Sequence, residues 1–125
     1  MLSSVGILKY TEDKLIVEVD PDIGCYYRYL MPKYYGIKRP LFPSHISVVR
    51  NEEIRFRKYW AHYEGSTIEF NYDNYIHCGD IYVWLEVQNE SLKEIRLELG
   101  LTATSSITRS PDLKHDFHIT IGNFK

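Results

Sequence analysis

The chain is poor in cysteine, has no basic excess and contains no long apolar run, and each shortage argues against a class of protein. Its two cysteines, Cys25 and Cys78, lack metal-ligand spacing, which favours free thiols in a reducing cytoplasm. A net charge of −2 argues against clamping long duplex nucleic acid. No stretch approaches the ~20 apolar residues of a membrane helix, and the N-terminus lacks a signal-peptide pattern. We therefore expect a cytoplasmic protein without a membrane partner.

The length and composition are those of an ordinary globular chain. Its 125 residues predict one domain over 1–125, present as a monomer or a small homo-oligomer. Tyrosine is unusually frequent, at 11 residues. Because tyrosine joins an apolar ring to a polar tip, the excess suggests a groove for planar ligands, or else half-buried strand positions.

The order of the apolar patterns predicts an α+β domain with a mainly antiparallel sheet. An opening hairpin is expected from the strands 5–10 and 14–20. A helix over 22–36 should end near Pro32, and a second helix over 89–100 carries a capping-box pattern at Ser91 and Glu94. Further strands are predicted over 45–50, 66–72, 81–88 and 117–125. The polar stretch 101–116 is long enough for a functional lid.

Two of the five histidines begin the same pattern, HISVVR (45–50) and HITIGN (118–123). Side chains two apart on a strand share a face, so His45 lies beside Ser47, and His118 beside Thr120. The β-branched residues between them can bury on the other face. If the two strands are neighbours, two imidazoles and two hydroxyls meet at one spot. The alternative is two unrelated histidines on exposed strand faces.

This residue set suits phosphodiester cleavage. One imidazole can take a proton from an attacking oxygen while the other gives a proton to the leaving oxygen, because histidine titrates near neutrality. The hydroxyls of Ser47 and Thr120 can donate hydrogen bonds to the phosphoryl oxygens. The chemistry needs neither a metal nor a cofactor, and we expect none. His115 and His118 have a spacing found in some metal sites, but they lack a third ligand in sequence.

The tetrapeptides HISV (45–48) and HITI (118–121) resemble the paired H-x-[ST]-x motifs of the 2H phosphoesterase superfamily. Ser47 stands where threonine is commoner in that family. The resemblance implies a bilobal fold with two pseudo-symmetric β/α halves around a central active-site groove. It also implies a metal-independent phosphodiesterase, similar to compact viral members that degrade cyclic-nucleotide immune signals in the host cytoplasm. His45, Ser47, His118 and Thr120 would be its catalytic residues.

The substrate expected from this resemblance is a small nucleotide, with a cyclic di- or oligonucleotide signal favoured. Alternatives are an RNA end with a 2′,3′-cyclic phosphate and a 2′-5′ oligonucleotide. Two non-enzymatic functions stay open, a nucleotide-binding sponge or sensor and an interaction domain. Replacing each motif histidine separates the enzyme from the sponge.

Three further residues are candidates for substrate binding. Tyr82 and Trp84 share a face of the strand 81–88 and can stack on a base, or else cover a helix or a dimer contact. Arg39 precedes the first motif and can meet phosphate, although a solvated loop position is the alternative. His62 and His77 have no partner in sequence and receive no role.

Overall fold

The computed structural model describes residues 1–103 and 117–124. Those residues form two α-helices, α1 and α2, two 3₁₀ turns at Lys33–Tyr35 and Arg57–Tyr59, and seven strands. In chain order the helices and strands are β1 (Leu2–Tyr10), β2 (Lys14–Glu18), α1 (Pro21–Leu30), β3 (His45–Arg50), β4 (Thr67–Tyr72), β5 (His77–Cys78), β6 (Tyr82–Gln88), α2 (Glu90–Glu98) and β7 (Phe117–Asn123). None of the helices in the described ranges is long and apolar enough to cross a membrane.

Six of the strands close into an antiparallel barrel. Their order around the sheet is β4-β1-β2-β3-β7-β6, and β6 pairs again with β4 through Asn71↔Gln88 and Tyr72↔Val87. The short strand β5 is not part of the barrel and pairs with β6 at Val83 and Trp84. The predicted opening hairpin is confirmed as β1 and β2.

The predicted bilobal α+β fold with two pseudo-symmetric halves is wrong. One sheet runs continuously from β4 to β6, and the pairing of those two strands closes it, so the strands do not divide into two lobes. The prediction failed because it rested on the order of helices and strands along the chain. That order does not reveal that the N-terminal strand pairs with β4.

The ends of the helices follow local side-chain chemistry. Helix α1 begins after Asp20, whose carboxylate accepts from the Asp22 backbone N–H, with proline in the first turn. Helix α2 is capped by Asn89, whose side chain accepts from the Leu92 N–H at 2.8 Å. The predicted capping box at Ser91 is therefore wrong by two residues, because asparagine is as good a cap as serine.

The apolar core joins the strands to both helices. Ile46 of β3, Leu85 of β6 and Ile119 of β7 are wholly buried and belong to one cluster with Ile23 of α1 and Leu92 of α2. Because strand residues alternate, the neighbours of these three strand residues face the opposite side of the sheet. The core thus decides which side chains are available for a site.

Most of the predicted lid, the stretch 104–116, lies outside the described residues. His115, which was considered as a metal ligand, also lies in that stretch.

Candidate functional site

The register of β3 against β7 brings the two histidine motifs together. Ile46 pairs with Ile119 in an antiparallel ladder. That register sets His45 opposite Thr120 and Ser47 opposite His118. The two histidines are therefore diagonal neighbours, with each imidazole beside the hydroxyl of the other strand. Diagonal cross-strand residues lie roughly 7 Å apart, within reach of long side chains.

The four motif side chains line one groove of about 760 Å³. Its floor is formed by residues of β2, β3, β7 and β6. Its rim includes the loop Pro40–Ser44 before β3 and the start of β6. The residues that line it are Lys14, Ile16, Glu18, Pro40, Leu41, Phe42, Pro43, Ser44, His45, Ser47, Val49, Arg50, Ile81, Tyr82, Trp84, His118, Thr120 and Asn123.

The ring of His45 is oriented by the proline-rich loop. Its Nδ1 lies 2.7 Å from the carbonyl oxygen of Pro43. A carbonyl oxygen only accepts, so Nδ1 carries the proton and donates. In the neutral ring Nε2 is then unprotonated and can accept a proton. The rigid Pro40–Pro43 segment thus selects the tautomer of His45.

His118 lies deeper, between β3 and β6. Its burial lowers the pKa of its imidazole below the ordinary value, and the nearby positive charges of His45 and Arg50 lower it further. The Glu86 carboxylate, opposite His118 in the β6–β7 register, acts in the other direction. The net result is a lowered pKa for the His118 imidazole, which favours its neutral form.

A β-bulge shapes the strand immediately after Thr120. The β6–β7 register shifts between Val83 and Trp84, so β7 carries an extra residue between Thr120 and Gly122. A Cβ on Gly122 would lie 2.5 Å from Cγ2 of Ile37 and 2.9 Å from the carbonyl oxygen of Lys38. Glycine is therefore required for the close approach of the segment that leads to the groove rim.

The predicted substrate-binding residues separate into two groups. Tyr82 and Trp84 line the groove. Arg39 is exposed and does not line it, so its contact with phosphate stays a prediction. The cations that do line the groove are Lys14 and Arg50, which the sequence reasoning missed. Lys14 lies opposite Arg50 in the antiparallel pairing of β2 and β3. Because helix α1 and a long loop separate these strands in the chain, no local pattern indicated the pairing.

A second polar cluster adjoins the groove. His77 of β5 lies with Nε2 3.2 Å from Oδ2 of Asp73 and 3.7 Å from Oε1 of Glu86. Its ring stacks on Trp84, with centroids 5.9 Å apart and planes at 15°. We name Asp73, His77 and Glu86 the carboxylate–histidine cluster. No role is predicted for His77 from the sequence, because the spacing of Asp73, His77 and Glu86 matches no known metal-ligand motif.

The chain has no match among protein-family models, curated proteins or solved structures.

Proposed function

We propose that this protein is a phosphodiesterase that cleaves a small nucleotide by two-histidine acid–base catalysis, without a catalytic metal. The chemistry is that of the 2H phosphoesterases, which the two motifs resemble; the bilobal fold of that family is no part of the proposal. The observation that carries it is the β3–β7 register, which sets two imidazoles and two hydroxyls in one groove.

The diagonal positions of the two histidines suit one bridging phosphorus atom. Diagonal positions roughly 7 Å apart leave room for an in-line pair of oxygens, each within a hydrogen bond of about 2.8 Å from an imidazole. One imidazole takes the proton of the attacking oxygen, either a ribose 2′-hydroxyl or water. The other gives its proton to the leaving oxygen as the P–O bond breaks.

The hydroxyls and cations of the groove can stabilise the negative charge of the phosphoryl oxygens. Ser47 and Thr120 donate to the non-bridging oxygens, which carry the charge in the transition state. Lys14 and Arg50 supply positive charge at the same groove. These contacts replace the neutralisation that a metal ion provides in other phosphoryl-transfer sites.

The rim of the groove favours a substrate with exposed bases. Phe42 on the β3 side and Tyr82 on the β6 side are both exposed aromatic residues that line the groove. Each can stack on a base, and such stacking tolerates any base. A short or cyclic oligonucleotide, with a base on each side of the central phosphate, therefore fits this groove better than a long duplex.

The test is product formation from a substrate panel in the presence of chelator, separated by chromatography. The panel holds cyclic dinucleotides, cyclic oligoadenylates, 2′-5′ oligoadenylate and 2′,3′-cyclic mononucleotides. We expect a chelator-insensitive product from at least one of them. His45→Asn and His118→Asn should each lower kcat by about 10²- to 10⁴-fold and leave binding largely intact.

The control is His62→Asn, which removes an exposed imidazole that does not line the groove. It should have wild-type kcat. Unchanged turnover in His118→Asn would remove the proposal. Nucleotide binding without any product would instead identify a sponge or sensor, and no binding at all would favour an interaction domain.

A further inference from the structure

The carboxylate–histidine cluster brings together three potential metal ligands from the stretch between the end of β4 and β6. Asp73 follows β4, His77 begins β5 and Glu86 lies within β6. One ligand atom from each lies within 4.8 Å of the other two. These residues meet because β5 folds back along β6, with His77 paired to Trp84.

The spacing of these atoms suits a small divalent cation. Ligands about 2.1 Å from a tetrahedral zinc ion lie about 3.4 Å from one another. The imidazole nitrogen of His77 is 3.2 Å from the Asp73 oxygen and 3.7 Å from the Glu86 oxygen, on either side of that value. One oxygen of each carboxylate lies within 4.8 Å of the other, and side-chain rotation can shorten that distance.

The ligands are held in place by contacts that do not involve the candidate ligand atoms. The backbone N–H of Asp73 donates to the carbonyl oxygen of Glu86 at 3.1 Å, and the Glu86 N–H donates to Oδ1 of Asp73 at 3.3 Å. The His77 ring is stacked on Trp84 and meets the edge of Tyr75, with centroids 4.9 Å apart. These contacts turn Nε2 toward both carboxylates, as a preorganised site requires.

Charge and access also favour a cation. The charge of the two carboxylates can balance that of a divalent ion, and the Glu86 side chain is 0% exposed. The side chains of His77 and Asp73 keep 17% and 21% exposure, so an ion can enter and complete its shell with water. One imidazole with two carboxylates suits zinc better than calcium, which prefers six to eight oxygens.

We propose that Asp73, His77 and Glu86 form a zinc site that joins the outside strand β5 to the barrel. The ion would link β5 to β6 and to the residue that follows β4. The strand pairing of β5 consists of two residue pairs with β6. The inference does not rest on the proposed catalysis, because none of the three residues lines the groove, although Glu86 lies opposite His118 in the β6–β7 register.

The test is titration of the chelator-stripped, tag-free full chain with Zn²⁺, measured by calorimetry. We expect one ion per chain and a rise of several degrees in Tm. His77→Gln and Asp73→Asn should each weaken binding by about 10-fold or more. His62→Gln, the same change at an exposed histidine, should bind as the wild type does, and so should Cys78→Ser.

A second measurement uses the wild-type protein alone, in case a variant fails to fold. Added Co²⁺ should broaden the His77 ring signals in NMR spectra before those of His62. Binding that survives both cluster variants, or that Cys78→Ser abolishes, would overturn the site. So would cobalt broadening that begins at another histidine, or the lack of any saturable binding. Activity assays play no part in these outcomes.

Discussion

Replacement of Arg96 by methionine should destabilise the protein more than any change to a surface charge. The Arg96 guanidinium is 0% exposed and forms a two-pronged ion pair with Glu52, at 2.6 Å and 2.9 Å. Arg96 also donates to the carbonyl oxygens of Val48 and Thr102, both at 2.8 Å. Methionine retains an apolar stem and a good helix propensity, so the change removes mainly the polar contacts.

The expected loss is about 3–5 kcal/mol in the free energy of unfolding, the usual cost of breaking a buried ion pair. Glu52 is only 13% exposed, so its carboxylate loses a close charge that water does not fully replace. A domain of this size has roughly 5–15 kcal/mol in total, and the Tm should fall by about 10 °C or more. The assay is urea unfolding followed by circular dichroism.

Two further variants make this prediction specific. Lys93→Met changes a cation on the same helix whose contact with Glu90 lies at the surface, and it should cost less than 1 kcal/mol. Arg96→Met combined with Glu52→Gln should cost clearly less than the sum of the two single changes. A loss for Arg96→Met no larger than that for Lys93→Met would refute the assignment of a stabilising buried pair.

Three other changes test separate features. Gly122→Ala should lower the free energy of unfolding by about 1–3 kcal/mol in urea, because its Cβ would lie 2.5 Å from Ile37. Gly79→Ala, whose Cβ would have its nearest contact at 3.3 Å, should lower it less. Equal losses for the two variants would contradict the close-approach argument. Burial raises the pKa of Tyr10 to about 12, so the unfolded chain loses this proton first and stability should fall between pH 10 and 12. The free energy of unfolding should fall by about 1 kcal/mol over this range, after allowance for the partial exposure of the phenol. Tyr10→Phe should therefore reduce the slope of Tm against pH. An unchanged slope would show that this phenol does not contribute. Tyr82→Ala should raise KM about 10-fold with little change in kcat if the ring stacks on a base, and a loss confined to kcat would contradict that role.

The sequence was sufficient for features that depend on near neighbours. Alternation along HISVVR and HITIGN placed imidazole and hydroxyl on one face of each strand, and the structure has both sets in one groove. The opening hairpin followed from two strand patterns three residues apart. The helix cap was misplaced to Ser91 because Asn89 is an equally good cap two residues earlier.

Features that depend on distant pairing could not be predicted. The closure of β6 onto β4 joins residues that no local pattern relates, and it replaced two expected lobes with one barrel. The convergence of Asp73, His77 and Glu86 depends on the same closure and on a two-residue strand too short to leave a pattern.

The sequence by itself determined which side chains share a face, because a strand repeats every two residues whatever it pairs with. Only the tertiary structure decided which faces meet, since pairing and register depend on how far-apart segments bury their apolar sides together. That is why the two histidine motifs could be read from the chain, while Lys14, Arg50 and the carboxylate–histidine cluster became visible only in the folded barrel.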